Sequence, residues 1–160
     1  MFVGTNDTWQ ILAHDPSGRL VMILRRPDVR PEPVDDALVE RWVEASVERI
    51  LRSGAEGREA LARSAREELS ALPRPPAVPA YENMLADGEG SLWVADHRPP
   101  WQDGEARTWT VFDPDGRMLG AVRTPPGLRV LRVGGDFILG VGRSDMDVET
   151  VRMFGLWRGR

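Results

Sequence analysis

Two stretches of this 160-residue chain hold residue types that could do chemistry. In the first, Asp96, His97, Arg98, Trp101 and Asp103 lie close together with Pro99, Pro100 and Gly104 among them. A histidine between a carboxylate and a guanidinium could move a proton, and a tryptophan beside charged groups could stack on a sugar or another flat ligand. A solvated loop anchored by its Trp explains the same residues without chemistry. The five are therefore carried forward as a ligand-binding candidate, and no catalytic residue is assigned.

The second stretch, Asp113-Pro114-Asp115-Gly116, opens like a calcium loop, and Asp145-Met146-Asp147-Val148-Glu149 adds another acidic cluster. Calcium asks for about six to eight oxygens and usually a bidentate Glu at a set distance, which neither supplies. A type I turn with Pro second and Gly last accounts for the same residues. Asp15-Pro16-Ser17-Gly18 repeats the pattern with Ser in place of the second Asp, which favours the turn. No metal and no cofactor is expected. Gly134-Gly135-Asp136 and Gly140-Val141-Gly142 fall short of a dinucleotide fingerprint, and no serine sits in a nucleophile elbow.

Bulk properties narrow the field further. Charges of both signs are mixed along the chain, with a net of -4, so no basic footprint argues for nucleic acid. No apolar run reaches the roughly 20 residues needed to span a bilayer. Cysteine is absent, which removes disulfides and thiolate chemistry. All 21 basic residues are Arg, a bias expected of a GC-rich genome. The first residues lack the basic and apolar regions of a secretory signal.

The elements that must position these groups are mostly strands. Trp9, Ile11 and Ala13 alternate before the Asp15 turn, and Leu20, Met22 and Leu24 alternate after it. Phe2-Val3 reads as the remnant of a further strand. Prolines at 27, 31 and 33 then lead into a helical hairpin over 35–72. Its first helix is capped by Asp35 and ended by Ser53-Gly54, with an apolar stripe of Leu38, Trp42, Val43, Val47, Ile50 and Leu51. Its second carries Ala60, Leu61, Ala65, Leu69 and Leu72 on one face. Strands return at Met84, Leu92, Trp109 and Met118, and again at Leu128, Phe137 and Val148. About ten strands result, in groups over 1–30, 82–124 and 128–160, within a single domain.

Leu85-Ala86-Asp87-Gly88-Glu89-Gly90-Ser91-Leu92-Trp93-Val94 followed by Trp109-Thr110-Val111-Phe112-Asp113-Pro114-Asp115-Gly116-Arg117 resembles the blade of a six-bladed β-propeller of the NHL-like group. The resemblance implies a mainly β fold, a partial propeller whose three blade-like antiparallel meanders are interrupted by the helical hairpin. It also implies a bacterial protein of exported type, acting as a non-catalytic binding or scaffold module. The alternative it implies is a hydrolase or lyase with its site on the blade loops, at Asp96, His97, Arg98 and Asp103. A whole six-bladed ring needs about twice this length. The chain is thus expected to be the C-terminal part of a larger propeller lacking N-terminal blades, or to be completed by self-association. Its uncovered blade faces require another chain, or the helical hairpin, as a cover.

Overall fold

A computed structural model describes residues 1–102, 104–143 and 148–158. The chain is mainly β: the described residues form ten antiparallel strands in three sheets and two α-helices. The first sheet is β1 (Phe2–Val3), β2 (Gln10–His14) and β3 (Leu20–Arg25). The middle sheet is β4 (Asn83–Ala86), β5 (Leu92–Ala95), β6 (Arg107–Phe112) and β7 (Met118–Thr124). The third is β8 (Arg129–Val133), β9 (Phe137–Arg143) and β10 (Glu149–Gly155). Helices α1 (Asp36–Arg52) and α2 (Arg58–Ala71) separate β3 from β4 in sequence. The sheets form one compact unit, and the helices with Pro100–Gln102 belong to a second. No helix among the described residues is long and apolar enough to cross a membrane.

The repeated turn is built the same way at each copy. Asp15 Oδ1 accepts from the amides of Ser17 and Arg19 at 2.9 and 3.0 Å, and Asp113 Oδ1 accepts from Asp115 and Arg117 at 3.0 and 2.8 Å. Both carboxylates act as turn acceptors, the role the Ser-containing copy foretells. A third copy is present at Asp87, whose Oδ1 takes the amides of Glu89 and Ser91 at 3.0 and 2.8 Å. In each, the fourth residue is a glycine in the left-handed region: Gly18, Gly90 and Gly116, with φ of 84°, 85° and 83°. This is a type I turn closed by a glycine bulge, the geometry of a three-residue hairpin loop.

The turns fix which side chains share a face, and the faces stack. Trp9, Ile11 and Leu24 of the first sheet's unit meet Leu92, Val94 and Phe112 of the middle sheet in one core. On the opposite face of the middle sheet, Trp93, Ala95, Trp109 and Val111 meet Val130, Val133 and Ile138 of the third. All four residues of β5 are consequently buried. Such a strand reads as a continuous apolar run because neither face meets water.

A partly buried ion pair ties the middle and third sheets together. Arg158 Nη2 donates to Asp87 Oδ2 at 2.6 Å and to the Gly134 carbonyl at 3.0 Å, while its Nε donates to the Gly135 carbonyl at 2.9 Å. Trp93 Nε1 donates to the same Asp87 oxygen at 3.1 Å. Burial is the largest influence on Asp87 and pushes its pKa up, yet the bonds from Arg158, Trp93, Ser91 and Glu89 outweigh it together. The carboxyl ends below its ordinary value.

The helical unit keeps the expected limits but shifts its seam. Asp35 caps α1 by accepting from the Leu38 amide at 2.8 Å, and the Ser53 amide closes it on Arg49 and Ile50. Val43, Val47 and Ala62 form the core, with Val39, Ile50 and Leu69 against it. The expected placement of Leu51, Ala60, Leu61 and Leu72 on the buried face is corrected: all four are exposed. Ala62, Ala65 and Leu69 also keep steps of three and four, and Leu61 lies about 100° around the helix from Ala62. Packing through alanine lets the helices approach closely. Across their outside, Arg66 pairs with Glu44 at 2.5 and 2.9 Å.

Two substitutions at equivalent turn positions separate backbone strain from packing. A methyl group at Gly18 would meet open space, whereas at Gly116 it would collide with Met22 Sδ and lie 2.9 Å from a Leu24 methyl. Gly18→Ala should cost about 1–2 kcal/mol by urea denaturation, and Gly116→Ala should cost about 1–3 kcal/mol more.

Asp87 gives a pH test. Because its folded pKa lies below the unfolded one, its contribution is complete above the ordinary carboxylate range and is lost as pH falls through the folded value. Asp87→Asn should cost about 2 kcal/mol at pH 7. The difference from wild type should shrink as urea titrations are moved below about pH 4.

Candidate functional site

The candidate loop leaves the most buried strand of the protein. Asp96 follows β5 directly, and its amide donates to the Thr108 carbonyl at 3.0 Å, so the residue is held by the sheet and is not adrift in a loop. Burial is the main influence on its carboxyl and raises its pKa, against the opposing charge of Arg26. The carboxyls of Asp15, Asp28, Glu44 and Asp87 are shifted downward, whereas that of Asp96 is shifted upward.

Arg26 comes from the first sheet, immediately after β3. Its Nη2 and Nε reach the two oxygens of Asp28 at 2.6 and 3.4 Å, its Nη1 donates to Thr110 Oγ1 at 3.2 Å, and its guanidinium lies 5.8 Å from the centre of the Trp9 ring. The bond to Asp28 contributes most to holding the proton on Arg26, and the charge of Asp96 adds to it. Thr110 is buried on β6 opposite Val94. A hydroxyl in that position needs a partner, and Arg26 supplies it.

Further charges gather at the same end of the middle sheet. Arg98 Nη1 donates to the Glu105 carbonyl at 2.8 Å and so braces the loop across its mouth. The Glu82 amide donates to the Ala95 carbonyl at 2.9 Å, and its carboxylate takes Arg107 Nη2 at 2.9 and 3.0 Å. His97 lies between Asp96 and Arg98 and is half-buried.

Three of the five expected site residues are found in the sheet unit and one in the helical unit. Asp96, His97 and Arg98 belong to the sheet unit, together with Arg26, Asp28 and Thr110. Trp101 belongs to the helical unit, in the 3-10 turn Pro100–Gln102, where the Arg41 guanidinium stacks 4.1 Å from its ring centre. The stretch expected as a loop is thus partly a tight helical turn, and one face of its Trp is already occupied by a cation. Asp103 and the Asp145 and Asp147 of the second acidic cluster lie outside the described residues.

Arg26, Asp28 and Thr110 are the members that sequence reasoning missed. A lone threonine among the buried positions of β6 was the available sign, since a buried hydroxyl implies a donor or acceptor elsewhere. Arg26-Pro27-Asp28 offers the matching pair, two residues apart on a proline-stiffened turn.

The arrangement favours recognition. Arg26 is engaged by a carboxylate, a hydroxyl and a ring face, and the Thr110 hydroxyl accepts from it in the interior. Burial raises the pKa of the Asp96 carboxyl, a group that accepts hydrogen bonds when ionised and can also donate one when protonated. These groups suit a small ligand carrying hydroxyl or carbonyl oxygens. No protein-family model, curated protein or solved structure matches this chain.

The raised pKa of Asp96 gives a prediction with the opposite sign to that of Asp87. Its proton is held more tightly in the folded state than in the unfolded one, so ionisation weakens the fold as pH rises through and above the ordinary carboxylate range. Asp96→Asn, neutral at every pH, should have a higher urea midpoint than wild type at pH 7 and the same midpoint at pH 3.

Proposed function

We propose that the chain is a binding or scaffold module of the β-propeller type, resembling part of a six-bladed, NHL-like propeller, and that it binds its ligand without turning it over. The observation that carries this reading is the stack. The middle sheet is covered on both faces by neighbouring antiparallel sheets, and the same aspartate turn recurs within the first and middle sheets. Blades that repeat around an axis cover one another in this way.

The ligand site of this reading is the end of the middle sheet at Asp96, His97 and Arg98, with Arg26 behind it. Loops leaving a rigid stack are where such architectures recognise their ligands. The ion pairs Arg26–Asp28 and Arg107–Glu82 satisfy most of the charge there, which fits a polar and uncharged or singly charged ligand better than a polyanion. The hydrolase or lyase alternative uses the same residues, with His97 as proton carrier and Asp96 as the acid.

Amide chemical-shift mapping distinguishes the two. Titration with neutral monosaccharides and with short carboxylates should move the amides of Asp96 to Arg98, and Arg98→Ala should abolish the response while the rest of the spectrum is kept. Hydrolysis of chromogenic esters or glycosides by the wild type, lost in a folded His97→Ala variant, would replace the binding module with the enzyme.

A further inference from the structure

The two outer faces of the stack are apolar. On the first sheet, Val3 pairs with Leu12 and Leu12 with Ile23, so these three share the face turned away from the middle sheet, and Val21 lies two residues from Ile23. Val3, Val21 and Ile23 are 40%, 55% and 43% exposed. On the third sheet, Val141 pairs with Val151 and Leu139 with Met153, again on the face away from the middle sheet. Val151 and Met153 are 71% and 68% exposed. Each face has an apolar centre and a polar end: Arg25 bonded to Gln10 on one, Arg143 paired with Glu149 on the other. That is the anatomy of an interface.

The repeated turn says which face belongs with which. Counting back from the turn aspartate, the second and fourth residues are Ala13 and Ile11 in the first sheet and Val111 and Trp109 in the middle one. In both sheets these positions face the next sheet along the chain: Ile11 packs on the middle sheet and Trp109 and Val111 on the third. The first and third residues back face the previous sheet, as Phe112 does against Trp9 and Ile11. Their counterparts on the first sheet are His14 and Leu12, on its uncovered face. The first sheet therefore presents the half that receives a preceding sheet, and the third presents the half that receives a following one. The middle sheet lies between them, so the sheets of one chain cannot bring these halves together.

We propose that a second copy of this chain joins them, the third sheet of each copy packing on the first sheet of the other so that two chains close a ring of sheets. The inference rests on the blade-stack reading above and names the partner of that stack. The contact is head-to-tail, continuing the interface that the chain uses twice within itself.

Sedimentation equilibrium of the whole chain at tens of micromolar tests this. The wild type should have twice the 17.9 kDa chain mass. Ile23→Glu and Met153→Glu should each return it to the single-chain mass with the circular dichroism spectrum unchanged. An equimolar mixture of the two variants should recover the doubled mass, because each keeps the face the other has lost. A wild type of single-chain mass, a doubled mass indifferent to both substitutions, or a mixture that stays monomeric would each overturn the proposal. A doubled mass without ligand-induced shifts at Asp96 would leave this inference standing and remove the binding-site reading; shifts in a monomeric chain would do the reverse.

Discussion

The constraint on which the sheet unit depends is the burial of β5 on both sides. Leu92 and Val94 go to one core and Trp93 and Ala95 to the other, so this strand cannot be stable unless two further sheets cover it. Bulk does much of the covering. Trp9 packs at 5.5 Å from Phe112 and 5.9 Å from Tyr81, ring centre to ring centre, on one side, and Trp93 and Trp109 fill the other. Burying indoles has its own requirement, since each carries one N–H donor. Trp93 meets it through Asp87, while the buried Nε1 atoms of Trp9 and Trp109 have no hydrogen-bond partner among the described residues. Asp87 is thus more than a turn residue: the carboxylate that closes the hairpin also satisfies the core tryptophan and anchors Arg158.

One local device, the aspartate turn, sets the phase of the sheets. A one-residue slip of a strand would move its whole apolar set to the opposite face. The bulges after the turns in the first and middle sheets fall at corresponding places, between Ala13 and His14 and between Val111 and Phe112. Register, face and direction of stacking therefore follow from the same few residues. Gly116 shows how tightly turn and stack are joined, because the space that glycine leaves open is taken by Met22 and Leu24 of the neighbouring sheet.

Much of this was legible in the sequence, for identifiable reasons. The grouping of ten strands as three, four and three follows from alternation and from turn residues, which act locally. Asp35 and Ser53 mark helix ends for the same reason. Three features were not legible. The turn at Asp87 could be read from its glycines, but the bond of its carboxylate to Arg158, which spans 71 residues, could not. The α2 seam could be written through Leu61 or Ala62, and only contact with α1 decides. The candidate site was half read: Asp96, His97 and Arg98 are adjacent in sequence, but Arg26 and Thr110 lie 84 residues apart and meet only because two sheets stack.

That last pairing makes the site a consequence of the stack. Asp96 is supplied by the middle sheet and the positive charge that moderates its burial by the first. If the two sheets slid apart, Thr110 would lose its donor, Trp9 its cation, and Asp96 the one charge that offsets its desolvation. Each of those losses is costly in a buried setting, so the packing that covers β5 and the electrostatics of the loop beyond it stabilise the same arrangement. A site assembled in this way gains its preorganisation from rigid elements, and under the proposed binding role a ligand would meet it with little movement of the backbone.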